Sequence, residues 1–437
     1  MTTVVNQAAP GEAAWEAAGL PRLLPPAPED LRAHLARYGP VPYRNQPAAL
    51  IADIEASGLT GRGGAAFPVH RKLAAVARAG VRPAHRQQGR TVAVANGAES
   101  EPASRKDERL LQLAPNLVLD GLQLAAEAVG ATEAHLYLHY APGPQILRAL
   151  AERAARGLDR LAVTITQAPP RFLAGQEAAV VNRLGGGPAL PTFQPPRVSE
   201  RGLGGAPTLV QNVETLAHLA LIARYGPRWF RAVGTAAEPG SMLTTVYRQD
   251  AEPEIHEVAT GTPLRTLLAD GDGIQAWLVG GYHGTWLPLP QATELTLDHA
   301  SLQTFTAAPG AGVLAALPSS RCGLIEAVRV TRYLAAESAG QCGPCLNGLP
   351  RIAAAVAELA GSGHRRQTLT DLKRWSGLVE GRGACHHPDG TVRFVRSALA
   401  VFEPEIGRHA RGHCSAIERT PFLPLPPGMP TREEDWT

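Results

Sequence analysis

Two rhythms of apolar residues divide the chain. Over roughly the first half, short apolar runs at Thr91–Ala95, His135–His139 and Leu161–Thr166 predict buried strands. Between them, Leu110–Val129 and Gln145–Ala155 repeat apolar residues at helical spacing, and residues 48–57 read as a helix as well. Strand, helix and strand in alternation predict an α/β layer with a largely parallel sheet. The stretch Pro188–Pro207 is too rich in breakers to form an element. From 240 to 320 the pattern shortens to alternating strands at Leu243–Tyr247, Ile255–Ala259 and Ala276–Val279. Thr262-Pro263 there reads as a helix start, an N-cap followed by proline at the first helical position. This segment is expected to be a small ubiquitin-like β-grasp unit. Beyond Leu324 the spacing is helical throughout, over Ile325–Ala336, Asn347–Leu359, Leu369–Leu378 and Val392–Phe402.

The resulting organisation is an N-terminal arm over 1–45, an α/β domain over 46–238, a β-grasp domain over 239–322, a helical domain over 323–412 and a Pro-rich tail over 413–437. The arm holds one short helix, Pro28–Arg37. Composition narrows the function classes. At 437 residues, 44% of them hydrophobic, the chain can build several cores. A net charge of +3 with no long run of one sign argues against nucleic acid or an anionic membrane surface as the main partner. No run of 18 apolar residues predicts a transmembrane segment, and Met1–Pro10 lacks the pattern of a secretory signal. Five cysteines, unevenly spread, fit a reducing cytoplasmic setting with metal or redox use better than a disulfide framework.

Three segments carry candidate chemistry. Ser57–Pro68 is the densest glycine cluster of the α/β region. Gly61, Gly63 and Gly64 allow the backbone to approach an anion, and Arg62 and Lys72 bring positive charge. Lysine occurs only at 72, 106 and 373, which makes Lys72 conspicuous. The spacing Gly61-x-Gly63-x-x-Ala66 imitates a dinucleotide fingerprint, but a helix precedes it where that fingerprint needs a strand. Asn96-Gly-Ala-Glu-Ser-Glu-Pro102 follows the first strand, at the carboxyl end where such sheets bind ligands; it also reads as a helix N-terminus. Cys342-Gly-Pro-Cys345 with the distant Cys385 can bind one metal centre. Zinc is the competing occupant, with His386 or His387 completing a Cys₃His set. Cys322 and Cys414 lack such spacing and read as ordinary residues.

Taken in order, these segments resemble the NADH-binding flavoprotein subunit of respiratory complex I and the related diaphorase subunits of soluble hydrogenases and formate dehydrogenases. Gly175-Gln-Glu177, Thr208–Thr215, Glu337–Gly348 and Gly381–Cys385 extend the match over about residues 46 to 410. The resemblance implies a Rossmann-like FMN-binding α/β domain, a β-grasp domain of the SLBB type and a helical domain holding a [4Fe–4S] cluster. By resemblance, Gly61, Arg62, Gly63, Gly64 and Lys72 surround the flavin phosphate, Asn96, Glu99, Gln211 and Asn212 contact the flavin, and Phe67 stands at the nucleotide entrance. Glu101 and Glu177 become the carboxylates beside the nicotinamide nucleotide, and Cys342, Cys345 and Cys385 three of the four cluster ligands.

Several positions depart from the family. Ala339 stands where the first cluster cysteine belongs, Ala98 replaces an acidic residue of the turn, Gln176 replaces a glutamate and Gln211 an asparagine. The fourth ligand then comes from His386, Cys414 or water, or the centre is a three-iron or labile species, or it is absent. The aromatics that enclose adenine fall at Ala74 or Ala75 and at Arg197. The phosphate loop is thus better kept than the nucleotide clamp. The expected function is electron transfer from NAD(P)H, or another reduced donor, through FMN and an iron–sulfur centre to a ferredoxin-like or membrane-bound redox partner, in the cytoplasm or on the cytoplasmic face of a membrane complex. The alternative is a non-catalytic binding subunit that meets partners through Trp277, Tyr282 and Trp286 if these are exposed, although the same aromatics also read as core or edge-strand residues.

Overall fold

The computed structural model describes residues 19–81, 89–192, 195–249, 251–268, 271, 273–363, 366–428 and 433–437; the first part of the arm lies outside them. Helix α1 (Leu31–Tyr38), capped by the Asp30 carboxylate on Ala33 N–H, is the short helix expected in the arm. Then come α2 (Pro47–Ser57), α3 (Val69–Gly80), β1 (Val92–Gly97), α4 (Lys106–Leu113), α5 (Pro115–Val129), β2 (Glu133–Leu138), α6 (Pro144–Ala155), β3 (Val163–Gln167), α7 (Glu177–Leu184), β4 (Thr208–Asn212) and α8 (Val213–Phe230). The four strands form a parallel sheet in the order β3-β2-β1-β4. Alternation along β1 divides its side chains between two cores: Ala93 and Ala95 face α2, α3, α5 and α8, whereas Val92 and Val94 face the α7 side.

The helix expected over Leu110–Val129 is two helices. Pro115 lacks the N–H that would continue α4, and Ala114 leaves the helical conformation before α5 begins. The apolar pattern runs through the break because both helices are buried. Gly121 lets α8 cross α5 closely; a Cβ there would stand 2.0 Å from the Leu216 carbonyl oxygen.

The second sheet comprises β5 (Ser241–Tyr247), β6 (Glu254–Ala259), β7 (Ile274–Val279), β8 (Thr285–Pro288) and, after the short α9 (His299–Leu302), β9 (Val313–Pro318). Its order, β6-β5-β9-β7-β8 with β5 and β9 parallel, is that of a β-grasp. Thr262-Pro263 starts only a 3₁₀ turn, Leu264–Thr266, because Pro263 itself stays extended as the N-cap. One face, with Ala276 and Leu278, packs on the helical layer; the other, with Trp277 and Val279, closes a smaller core. Trp277, Tyr282 and Trp286 are all buried, so they are core residues and offer no partner surface.

The helical layer is α10 (Gly323–Ala336), α11 (Leu349–Leu359), α12 (Arg366–Val379), α13 (His387–Val401) and α14 (Glu403–Ala410). A π-helical turn, Pro344–Gly348, leads into α11 and carries Cys345. Such turns are rare and concentrate at functional sites. No helix among the described residues is long and apolar enough to cross a membrane.

Candidate functional site

The chain order of the parallel sheet reverses at β1, whose neighbours are β2 and β4. Open parallel sheets bind ligands in the crevice outside the carboxyl ends at such a point. There Asn96 of β1 lies in register with Asn212 of β4. The Asn96 amide donates to Gly175 O at 2.9 Å and its oxygen accepts from Ala98 N–H. Asn212 caps α8 by accepting from Glu214 N–H at 3.0 Å, and its amide donates to Asp107 at 2.6 Å. Behind them Lys106 is buried between Asp107 at 2.7 Å and Glu214 at 2.8 Å. Glu214 also accepts from Leu243 N–H, which ties the crevice to β5. No motif marks this buried lysine in the sequence.

A cavity of about 700 Å³ opens from the crevice, lined by the 61–67 loop, Lys72, Asn96, Glu101, Gln176, Glu177, Gln211, Asn212, Cys385 and His386. The loop joins α2 to α3. Gly64 sits at φ +100, which a side chain would strain, and Gly63 lies beside Asn212. Lys72, projecting from α3, donates to Val210 O at 2.7 Å and lies 3.3 Å from Glu177 at the start of α7. The Gln211 side-chain amide nitrogen is buried with no hydrogen-bond partner, an unused donor on the cavity wall. Phe67 is 46% exposed. Burial pushes the Glu101 carboxyl up to about 7, against amide hydrogen bonds from Tyr282 and Ala103 that favour its charged form. Gly281 makes room for that carboxyl; a Cβ there would fall 2.5 Å from it.

Two candidate residues point elsewhere. The Arg62 guanidinium turns from the cavity to Thr60 Oγ1 at 3.0 Å and the Pro239 carbonyl. Glu99 accepts from the N–H groups of Asp107 and Glu108, both at 3.1 Å, so it serves the start of α4. Further lining residues, His283 and Arg393 among them, carry no motif in the sequence, because β-grasp and helical segments far along the chain deliver them.

The three cysteines gather at the far side of the cavity. Cys342 Sγ lies 3.5 Å from Cys345 Sγ. Cys385 is close enough to feel the charge of Cys342, and it lines the cavity together with Gln176. Cys385 thus belongs to the cavity wall and to the thiol cluster together. Burial opposes ionisation of Cys342, yet N–H donors from Ala384 and Cys345 hold its thiol below the usual range, whereas burial raises Cys385. Glu337 fixes the approach to this loop, accepting from Phe172 N–H at 2.9 Å and pairing with Arg171 at 3.2 Å. Ala339 packs its methyl on the helical core.

The neighbouring histidines divide. His387 is committed: Nε2 donates to Leu334 O at 2.8 Å, so Nδ1 accepts from His283 Nε2 at 3.0 Å. Burial holds both rings neutral, His387 at about 4. His387 therefore has no lone pair for a metal, which removes it from the Cys₃His alternative. His386 is exposed beside Asp389. Cys414 is not with the three thiols; it stands beside Cys322. Cys414 is thereby placed away from the fourth corner of the cluster, and Cys322 and Cys414, which read as ordinary residues in the sequence, lie together.

The donors present suit a flavin phosphate and a thiolate-bound centre: glycine backbone with a lysine, an unused amide donor, and soft sulfur ligands. Crevice and thiol cluster define the class of flavin- and iron–sulfur-binding electron-transfer proteins. Comparison with known proteins agrees. Residues 54–221 match the Nuo51 FMN-binding domain, and residues 326–409 match the NADH-ubiquinone oxidoreductase-F iron–sulfur binding region. The F subunit of the NADH-quinone oxidoreductase of Streptomyces coelicolor is 28% identical over 386 residues, 84% of each chain. That of Rickettsia felis is 27% identical, covering 84% of this chain and 90% of its own. Among solved structures, an NAD⁺-reducing [NiFe]-hydrogenase in the H₂-reduced state matches with a TM-score of 0.77 and 27% identity, over 88% of this chain and 68% of its own. The chain thus carries matches to the FMN-binding and iron–sulfur binding regions of NADH-quinone oxidoreductase F subunits and is similar to those subunits over 84% of its length.

Proposed function

We propose that this chain takes reducing equivalents from a nicotinamide nucleotide in the 700 Å³ cavity and passes them, one electron at a time, toward a partner redox protein on the cytoplasmic side of the membrane. FMN, when bound, supplies the change from two-electron to one-electron chemistry, and an iron–sulfur cluster supplies the one-electron outlet. The chain's own residues position these groups. The 61–67 loop and Lys72 neutralise the flavin phosphate; Asn96, Gln211 and Asn212 offer amide groups to the ring system. Glu101 and Glu177 face the donor. Cys342, Cys345 and Cys385 hold the cluster, and Ala339 leaves one corner to a non-cysteine ligand or to none.

One observation carries this reading: Cys385 of the thiol cluster lines the flavin cavity beside Gln176 and Glu177, so the two sites share a wall. Its test is the content of anaerobically purified protein. Stoichiometric FMN, iron and acid-labile sulfide are expected, together with NAD(P)H-dependent reduction of ferricyanide. Protein that stays colourless after reconstitution with FMN, iron and sulfide contradicts it. Bound cofactors without any such reduction would leave the donor assignment wrong.

A further inference from the structure

Among the described residues, one group of metal-binding side chains has its donor atoms all within 4.8 Å of one another: Cys322, Glu405, His409 and Cys414. It involves none of the three cysteines of the cavity. Three segments of the helical layer build it. Cys322 is the N-cap of α10 and is buried. Glu405 and His409, one turn apart on α14, present both side chains to that N-terminus and are buried too. Cys414 closes the group from the turn after α14 and is exposed.

The separations are those of ligands around one tetrahedral ion. Zinc bonds of about 2.3 Å to sulfur, about 2.05 Å to nitrogen and about 2.1 Å to oxygen set tetrahedral edges of about 3.6 Å for S···N, about 3.4 Å for N···O and about 3.6 Å for S···O. Here Cys322 Sγ to His409 Nε2 is 3.5 Å, His409 Nε2 to Glu405 Oε1 is 3.3 Å, and Cys322 Sγ to Glu405 Oε1 is 3.9 Å. Outer contacts orient the ligands. His409 Nδ1 meets the Ala360 carbonyl at 2.6 Å and so carries the proton, which leaves the Nε2 lone pair aimed at Cys322. Arg408 holds the other Glu405 oxygen at 2.9 Å, and Ser415 N–H donates to Oε1 at 2.8 Å.

We propose that Cys322, Glu405, His409 and Cys414 form a closed structural zinc site. Four protein ligands leave no open position, the arrangement of structural rather than catalytic zinc. The site lies where the chain leaves the helical layer. Past Cys414 it returns along α10, with Ile417 N–H and Glu418 N–H on Ser320 O and with Phe422 N–H and Leu423 N–H on Glu326. It then reaches Pro424, whose carbonyl accepts from the Tyr282 hydroxyl. Tyr282 N–H in turn holds Glu101 at 2.8 Å. The zinc would pin this strap at its origin.

The test is metal analysis of the full-length holoprotein produced with zinc in the medium, alongside Cys414→Ser and Cys345→Ser. One zinc per chain is expected in the wild type and in Cys345→Ser, and none in Cys414→Ser, which keeps its FMN because Cys414 is exposed and remote from the cavity. Cobalt(II) added to the zinc-stripped wild type should give the intense visible bands of a tetrahedral thiolate site, missing in Cys414→Ser. Zinc that is absent from the wild type, zinc unaffected by Cys414→Ser, or a Cys322–Cys414 disulfide found by mass spectrometry of alkylated protein would each overturn the proposal.

Discussion

At the residue scale, the site depends on a few charges set by their surroundings. Among the described residues, Lys72 is the one lysine on the cavity wall. Lys72→Met removes a charge-assisted bond to phosphate worth roughly 1.5–3 kcal/mol, so FMN should bind roughly 10- to 100-fold more weakly, as flavin fluorescence titration would read. FMN affinity unchanged in this variant would place the phosphate elsewhere. Glu101 yields a pH dependence. Its folded value of about 7 exceeds its ordinary 4.5, so the native state binds the extra proton and stability declines as pH rises between these values. Glu101→Gln should flatten that decline in thermal melts across the range and remove an inflection near neutrality from the rate of donor oxidation. A slope identical to that of the wild type would show that other carboxyls set it. Ala339→Cys supplies the thiol that a four-cysteine centre needs, so its reduced cluster should be less labile and show an altered paramagnetic spectrum; an unchanged spectrum would mean that the corner is already filled by another ligand.

At the element scale, the crevice is held by contacts behind it. Gly121→Ala forces a methyl against the Leu216 backbone, pushing α8 off α5 and moving Asn212 at its cap. A loss of roughly 1–3 kcal/mol or more is expected, read as a lower melting temperature with weakened FMN binding. A melting temperature equal to the wild type would mean that the two helices can separate freely. The strands of the parallel sheet and the helix before the glycine loop were legible because their apolar rhythm reports burial directly. The break at Pro115 was hidden by continuous burial on both sides. Strand β4 is the exception: it emerges from a Pro/Gly loop and runs into α8 at Val213 with no break, so its apolar residues merge with the helical pattern. Cys322 and Cys414 are visible in the sequence but do not read as one group, because Cys322 is distant in sequence; Glu405, His409 and Cys414, close together on α14 and the turn after it, are the available cue.

At the scale of the whole molecule, three layers meet around one cavity. The parallel sheet contributes the crevice, the β-grasp contributes Gly280, His283 and Gly284, and the helical layer contributes Cys385 and the neutral His387 that holds His283. Gly390 faces the His283 ring so closely that a Cβ would stand 2.3 Å from it, so this joint has little slack. The motifs announced the glycine loop, the acidic turn and the cysteines but not His283 or Arg393, and the wall that Gln176 and Cys385 share could be seen only once the chain was folded, because the two sit far apart in the sequence. Electron passage across that wall is best tested without any assumption about the donor. The anaerobic, FMN-loaded protein is illuminated with EDTA to photoreduce the flavin, and the iron–sulfur centre is followed by paramagnetic resonance. The centre should become reduced in the FMN-loaded protein and stay oxidised in flavin-free protein treated alike. A centre that stays oxidised beside a fully bleached flavin, yet is reducible by dithionite, would contradict the account.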